Sequence, residues 1–162
     1  MGDIIKVGMA DLKTCKAPDG LITLGLGSCV GIAIRDPLTK IGGLAHIMLP
    51  DSKAILNNNS VKEKFADTGI LELVEQMVAL GANRNRLVAK IAGGATMFQL
   101  QSRSDIMKIG ERNIQACIQI LNDLSIPLLS QDTGENYGRT VTFYPETGDF
   151  HIRAIGRENK II

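Results

Sequence analysis

Short β-branched runs fill the first fifty positions, and the apolar spacing then changes to a helical one. Residues 3–12 (DIIKVGMADL) and 21–26 (LITLGL) predict strands that feed a glycine-rich turn. VGIAIR at 30–35 predicts a further strand, closed by the turn signal Asp36-Pro37. Residues 41–49 predict the next, with His46 inside it, and polar residues 51–64, including three consecutive asparagines, predict a mobile loop. From Asp67 the positions Ile70, Leu73, Val74, Met77, Val78 and Leu80 form one apolar face, with Asp67 placed to cap the start and Gly81 the end. Residues 87–92 predict a buried strand ending in Gly93-Gly94. A second helix is predicted over about 110–124, with Ile114, Cys117, Ile118, Leu121 and Leu124 on one side. A strand at 126–131 and a hairpin of 139–145 with 149–155 complete the chain. Strands outnumber helices and include hairpins, so the expected fold is α+β: one domain over 1–162, mixed β-sheet flanked by helices.

Composition narrows the function classes. At 162 residues the chain can bury a full core without disulfides. A net charge of +1 gives no electrostatic case for nucleic acid or an anionic membrane surface. The cluster Arg84, Arg86 and Lys90 reads as a solvated face. No apolar run is long enough to span a bilayer, so direct membrane insertion is not expected. The start of the chain lacks a basic segment followed by an apolar signal core, which argues against secretion. Cys15, Cys29 and Cys117 are odd in number and widely spaced, which disfavours disulfides and zinc knuckles and fits a reducing cytoplasm. Two histidines with scattered carboxylates show no metal-ligand spacing.

The candidate chemistry lies in LITLGLGSCVGIAIRDPLTKIGGLAHIMLP, residues 21–50. Cys29 sits in a turn of small residues, Gly25, Gly27, Ser28 and Gly31, that gives a substrate access to the sulfur. An arbitrary cysteine is more often inert core, and Cys117, on the apolar stripe of a helix, fits that description. Cys15, in a loop beside Lys13, Lys16 and Pro18, carries no expected chemistry. A thiol nucleophile needs a base, and His46 is better placed than His151, which alternates with Phe150 and Ile152 and faces solvent. A path from Thr23 through Cys29 to His46 sets three neighbouring strands side by side. Gly25-Leu26-Gly27 is followed by Val30 where a dinucleotide fingerprint needs its third glycine, and Gly93-Gly94 lacks the lysine and hydroxyl of a P-loop.

Six segments carry a wider likeness: TLGLGSCVGIAIRDP (23–37), GGLAHIMLPDS (42–52), FADTGI (65–70), AKIAGGATMF (89–98), IGERNIQA (109–116) and DTGENYGRTV (132–141). In this order they resemble the CheD family, chemoreceptor glutamine deamidases of bacterial and archaeal chemotaxis. Glu135 stands where that family usually has glycine; positive φ there would cost a non-glycine residue about 1 kcal/mol. The resemblance implies a papain- and toxin-deamidase-like Cys-His site, with Cys29 as nucleophile, His46 as base and Thr23 as the residue orienting the imidazole. The turn at Gly27 and Ser28 would supply oxyanion donors, with no metal or organic cofactor. It also implies two partners: the cytoplasmic helices of chemoreceptors as substrate, and a CheC-type phosphatase of the phosphorylated response regulator. The competing readings are a mainly non-enzymatic regulatory module for the phosphatase, and a cysteine peptidase or small-molecule amidase.

Overall fold

The computed structural model describes residues 2–52, 62–97 and 109–162. Its strands are β1 (Ile4–Val7), β2 (Asp11–Lys16), β3 (Gly20–Leu26), β4 (Val30–Asp36), β5 (Ile41–Ile47), β6 (Val88–Gly93), β7 (Leu128–Thr133), β8 (Arg139–Tyr144), β9 (Asp149–Arg153) and β10 (Lys160–Ile161). Helix α1 (Ala66–Leu80) lies between β5 and β6, and α2 (Ile109–Asp123) between β6 and β7. The strands form two mixed sheets, in the orders β1-β3-β8-β9-β10 and β2-β5-β4-β6-β7. The fold is α+β, as the sequence predicts, and its layers run sheet, sheet, helices.

Alternation along the central strands produces the layering. Val30, Ile32 and Ile34 of β4 and Ile41, Ala45 and Ile47 of β5 pack with Ile70, Leu73, Val74 and Met77 of α1 and Cys117 and Leu121 of α2. The intervening positions, Ala33 and Leu44, face the other sheet and meet Leu21, Leu26, Val141, Phe143 and Phe150. Both faces of β4 and β5 are therefore buried, and the small residues fall where elements crowd. A Cβ at Gly43 would stand 2.5 Å from Leu73 Cδ1, and one at Gly42 2.5 Å from Pro145 Cγ.

Several local expectations change. Residues 3–12 are not one strand: the chain turns at Gly8–Ala10, with Ala10 at φ 55°, and β1 and β2 go to different sheets. That turn places Cys15 on β2, buried, with its thiol donating to the Asp19 carbonyl at 3.5 Å, rather than in a loop. Asp67 does not cap α1, whose first turn follows Phe65; its carboxylate instead accepts bonds from the Ser52 N–H and hydroxyl. Gly81 does end α1, at φ 118°, with Gly81 N–H bonded to Val78 O and Ala82 N–H to Met77 O. Of the Arg84, Arg86 and Lys90 group, Arg84 is solvated as expected, in a surface ion pair with Glu75, but Arg86 and Lys90 are held by the fold. Arg86 forms a two-bond fork on the buried Asp36 carboxylate, holding it well below the usual carboxylate range, and Lys90 donates to Gly148 O and Ile162 O. Most of the predicted loop at 51–64 lies outside the described residues.

Candidate active site

Two sheets, not three adjacent strands, bring the site residues together. β4 and β5 are neighbours in one sheet, and β3 belongs to the other. Thr23 points inward from β3 and is fully buried. Its hydroxyl donates to Val7 O of β1 at 2.8 Å and stands 2.7 Å from His46 Nδ1 of β5. The expected side-by-side path is corrected to a contact across the sheet–sheet interface.

That contact fixes the chemistry of the imidazole. A carbonyl can only accept, so the Thr23 proton goes to Val7 O and the hydroxyl oxygen accepts from Nδ1–H. The neutral ring then carries its lone pair on Nε2, which is buried and has no hydrogen-bond partner among the described residues. An unpartnered buried ring nitrogen is costly in a structural histidine and useful in a base. Burial also lowers the His46 pKa below 6.5, so the ring is neutral at physiological pH.

Cys29 lies in the turn between β3 and β4, with 8% of its surface exposed. His46 is paired directly with Gly31, and Cys29 precedes Gly31 by two residues. Cys29 packs between the sheets in one cluster with Leu44, and Leu44 and His46, two apart on β5, share a face, which sets Cys29 on the side of that sheet that carries His46. Burial pushes the Cys29 thiol above its ordinary value, while its own backbone N–H pulls the other way by favouring the thiolate. Both shifts favour the uncharged forms, the Cys29 thiol and the His46 imidazole, in the resting protein.

Three consecutive carbonyls fasten the Cys29 turn. Gly27 O accepts from Ala95 N–H at 2.8 Å, Ser28 O from Asn113 Nδ2 at 2.9 Å, and Cys29 O from Gly94 N–H at 2.8 Å. Gly93-Gly94 is thus a clamp on this turn. A Cβ at Gly93 would sit 2.3 Å from Cys29 O, and one at Gly94 2.3 Å from Ile114 Cγ1. Asn113 escaped the sequence reading. The signal was present: it is a polar residue four positions before Cys117 and eight before Leu121, on the same buried stripe.

The other candidates separate from this site. Cys117 is fully buried in the helix layer, and burial pushes its thiol far up; Cys15 is pushed up to about 11. His151 stands on the outer face of β9, half-buried rather than free in solvent, with its ring edge-on to Tyr144 at 5.1 Å.

The chain is similar to known proteins over its full length. The family described as "CheD chemotactic sensory transduction" matches residues 48–154. The chain belongs to the CheD family. A probable chemoreceptor glutamine deamidase CheD of Lachnoclostridium phytofermentans is 56% identical over all 162 residues, covering 100% of both chains. One of Caldanaerobacter subterraneus is 54% identical over 159 residues, 98% of each. The chemoreceptor glutamine deamidase CheD of Halalkalibacterium halodurans is 46% identical over 162 residues, again 100% of both. The family match begins two residues past His46, so Thr23, Cys29 and His46 lie outside the matched segment.

Proposed function

We propose that this chain is a protein-glutamine deamidase that converts glutamines of chemoreceptors to glutamate, with Cys29 as nucleophile, His46 as base and Thr23 as the residue that orients the ring. The observation that carries this reading is the Val7 O–Thr23–His46 chain, which leaves Nε2 free as a base, with Cys29 packed on the same side of β5 against the cluster of Leu44. The full-length relatives, named as chemoreceptor glutamine deamidases, supply the substrate class.

The reaction follows from these groups. His46 Nε2 takes the proton from Cys29, and the thiolate attacks the carboxamide carbon, opening its C=O bond onto oxygen. Backbone N–H groups of Ser28 and Cys29 receive the oxyanion. As the carbonyl re-forms, the C–N bond breaks and His46 returns its proton to the departing ammonia, leaving a thioester. A water then gives a proton to His46 and adds to the thioester carbon. The C–S bond breaks, and sulfur recovers the proton. Each turnover puts one negative charge on a receptor helix, which changes repulsion between neighbouring helices.

A CheC-type phosphatase is proposed as a second partner, docking over the same turn. The half-exposed Leu24 and Met97 support this, since Met97 lies against Gly27, with Cγ 3.2 Å from where a Cβ would stand. A glutamine side chain is short, so any helix that delivers one must cover Cys29, and a phosphatase helix there would exclude it. Slower deamidation with rising phosphatase concentration is expected; a rate unchanged at saturation places that partner elsewhere. The proposed location is the cytoplasm, consistent with three free cysteines, and among the described residues no helix is long and apolar enough to cross a membrane. The deamidase reading is tested by incubating the protein with a chemoreceptor cytoplasmic fragment in heavy-oxygen water. Release of ammonia with one heavy oxygen entering each new glutamate supports it; no ammonia and an unchanged fragment overturn it.

A further inference from the structure

We propose that Asn113 is a positioning residue that aims the oxyanion-binding N–H of Cys29 and locks the nucleophile's turn to the strand carrying the base. This inference rests on the role given to Cys29 above. Asn113 is fully buried on α2, among apolar neighbours, where an amide is costly unless it is bonded. Its Nδ2 donates to Ser28 O at 2.9 Å and to Met48 O at 3.0 Å. Both acceptors are carbonyl oxygens, so only the NH2 end of the amide can face them.

The two acceptors flank the two reacting side chains. Ser28 precedes Cys29 by one residue, and Met48 follows His46 by two. In a trans peptide unit the C=O and the following N–H point in opposite directions, because the unit is planar. Holding Ser28 O toward α2 therefore turns Cys29 N–H the other way, toward its own sulfur, in line with the effect of that N–H on the thiol. Ala95 N–H on Gly27 O does the same for Ser28 N–H one unit earlier. A substrate oxyanion needs donors already aimed where charge develops, since reorganising them during reaction costs rate. Asn113 never touches substrate; it acts through the peptide unit it holds.

The test pairs two reactions of the same sulfur. Deamidation of a chemoreceptor cytoplasmic fragment passes through an oxyanion; alkylation of Cys29 by iodoacetamide is a displacement at carbon and forms none. Asn113→Leu keeps volume and removes the donor. It is expected to lower kcat about 10- to 100-fold, less than or comparable to deleting an oxyanion donor outright, with KM and the alkylation rate little changed. Asn113→Asp can donate only when protonated, so its kcat relative to wild type should rise as pH falls. An unchanged kcat in Asn113→Leu overturns the proposal, as does alkylation falling in parallel with kcat, which would make Asn113 a purely structural residue. If Asn113→Leu fails to fold, the pH dependence of the Asn113→Asp ratio decides, and a flat ratio refutes the proposal. A wild-type protein that does not deamidate the fragment defeats the underlying deamidase reading. A wild type that does so, beside fully active Asn113 variants, defeats this inference alone.

Discussion

Replacing Thr23 by Val keeps the side chain's shape and removes one hydroxyl, so it isolates what that oxygen does. In the folded protein the hydroxyl satisfies two buried groups at once, Val7 O at 2.8 Å and His46 Nδ1 at 2.7 Å. Each left without a partner costs about 1–3 kcal/mol, so the variant should lose about 2–6 kcal/mol of stability, the lower end if the strands relax. The catalytic effect is separate. With no acceptor at Nδ1, the ring is free to carry its proton on Nε2, and that tautomer cannot take a proton from Cys29. General-base assistance is worth about 10²–10⁴-fold, and a partial loss of it predicts kcat down by about 10- to 100-fold. Urea unfolding gives the first quantity, and deamidation of a chemoreceptor fragment below the unfolding transition gives the second. Thr23→Ser should recover most of both, because it restores the oxygen. A Thr23→Val protein that is destabilised but fully active would refute the reasoning, since the hydroxyl would then serve the fold alone.

Burial lowers the His46 pKa, so kcat/KM should rise with pH through a limb centred below 6.5, and a limb above 6.5 would contradict the neutral resting pair. The same linkage makes the fold lose stability as pH falls below 6.5, because the unfolded imidazole takes up a proton that the folded one resists. Limited alkylation of the native protein at neutral pH should mark Cys29 and abolish activity, with Cys15 and Cys117 modified only after unfolding; early labelling of Cys117 without loss of activity counts against the assignment. Glu135 adopts φ 62°, so Glu135→Gly should raise the urea midpoint by the equivalent of about 1 kcal/mol, and an unchanged midpoint would mean that the turn carries no such strain.

Local patterns in the chain foretell most elements but not their partners. Helical spacing gives α1 and α2 within a residue or two, and Asp36-Pro37 and Gly148 mark turns the structure contains. The division into two sheets is not legible, because it depends on long-range pairing: β3 pairs with β1 in parallel and with β8 from the far end of the chain. This hid how Thr23 reaches His46. Cys29 and His46, the proposed nucleophile and base, stand out in the sequence because chemistry restricts the residue types that can serve. Asp36 looked like turn punctuation, yet its buried carboxylate also accepts the Asn83 N–H and the Arg86 fork. The break after β1 was missed because Ala10, not a glycine, takes the left-handed conformation there.

The proposed reaction uses a single sulfur to turn a receptor amide into an acid, and peptide-mapped mass spectrometry of a chemoreceptor cytoplasmic fragment tests that directly. The fragment is compared after incubation with wild type, Cys29→Ala and Cys117→Ala. Glutamine-to-glutamate conversion at defined positions is expected with wild type and Cys117→Ala, and none with Cys29→Ala. Conversion by Cys29→Ala, or an unmodified fragment with wild type, would contradict the proposed reaction.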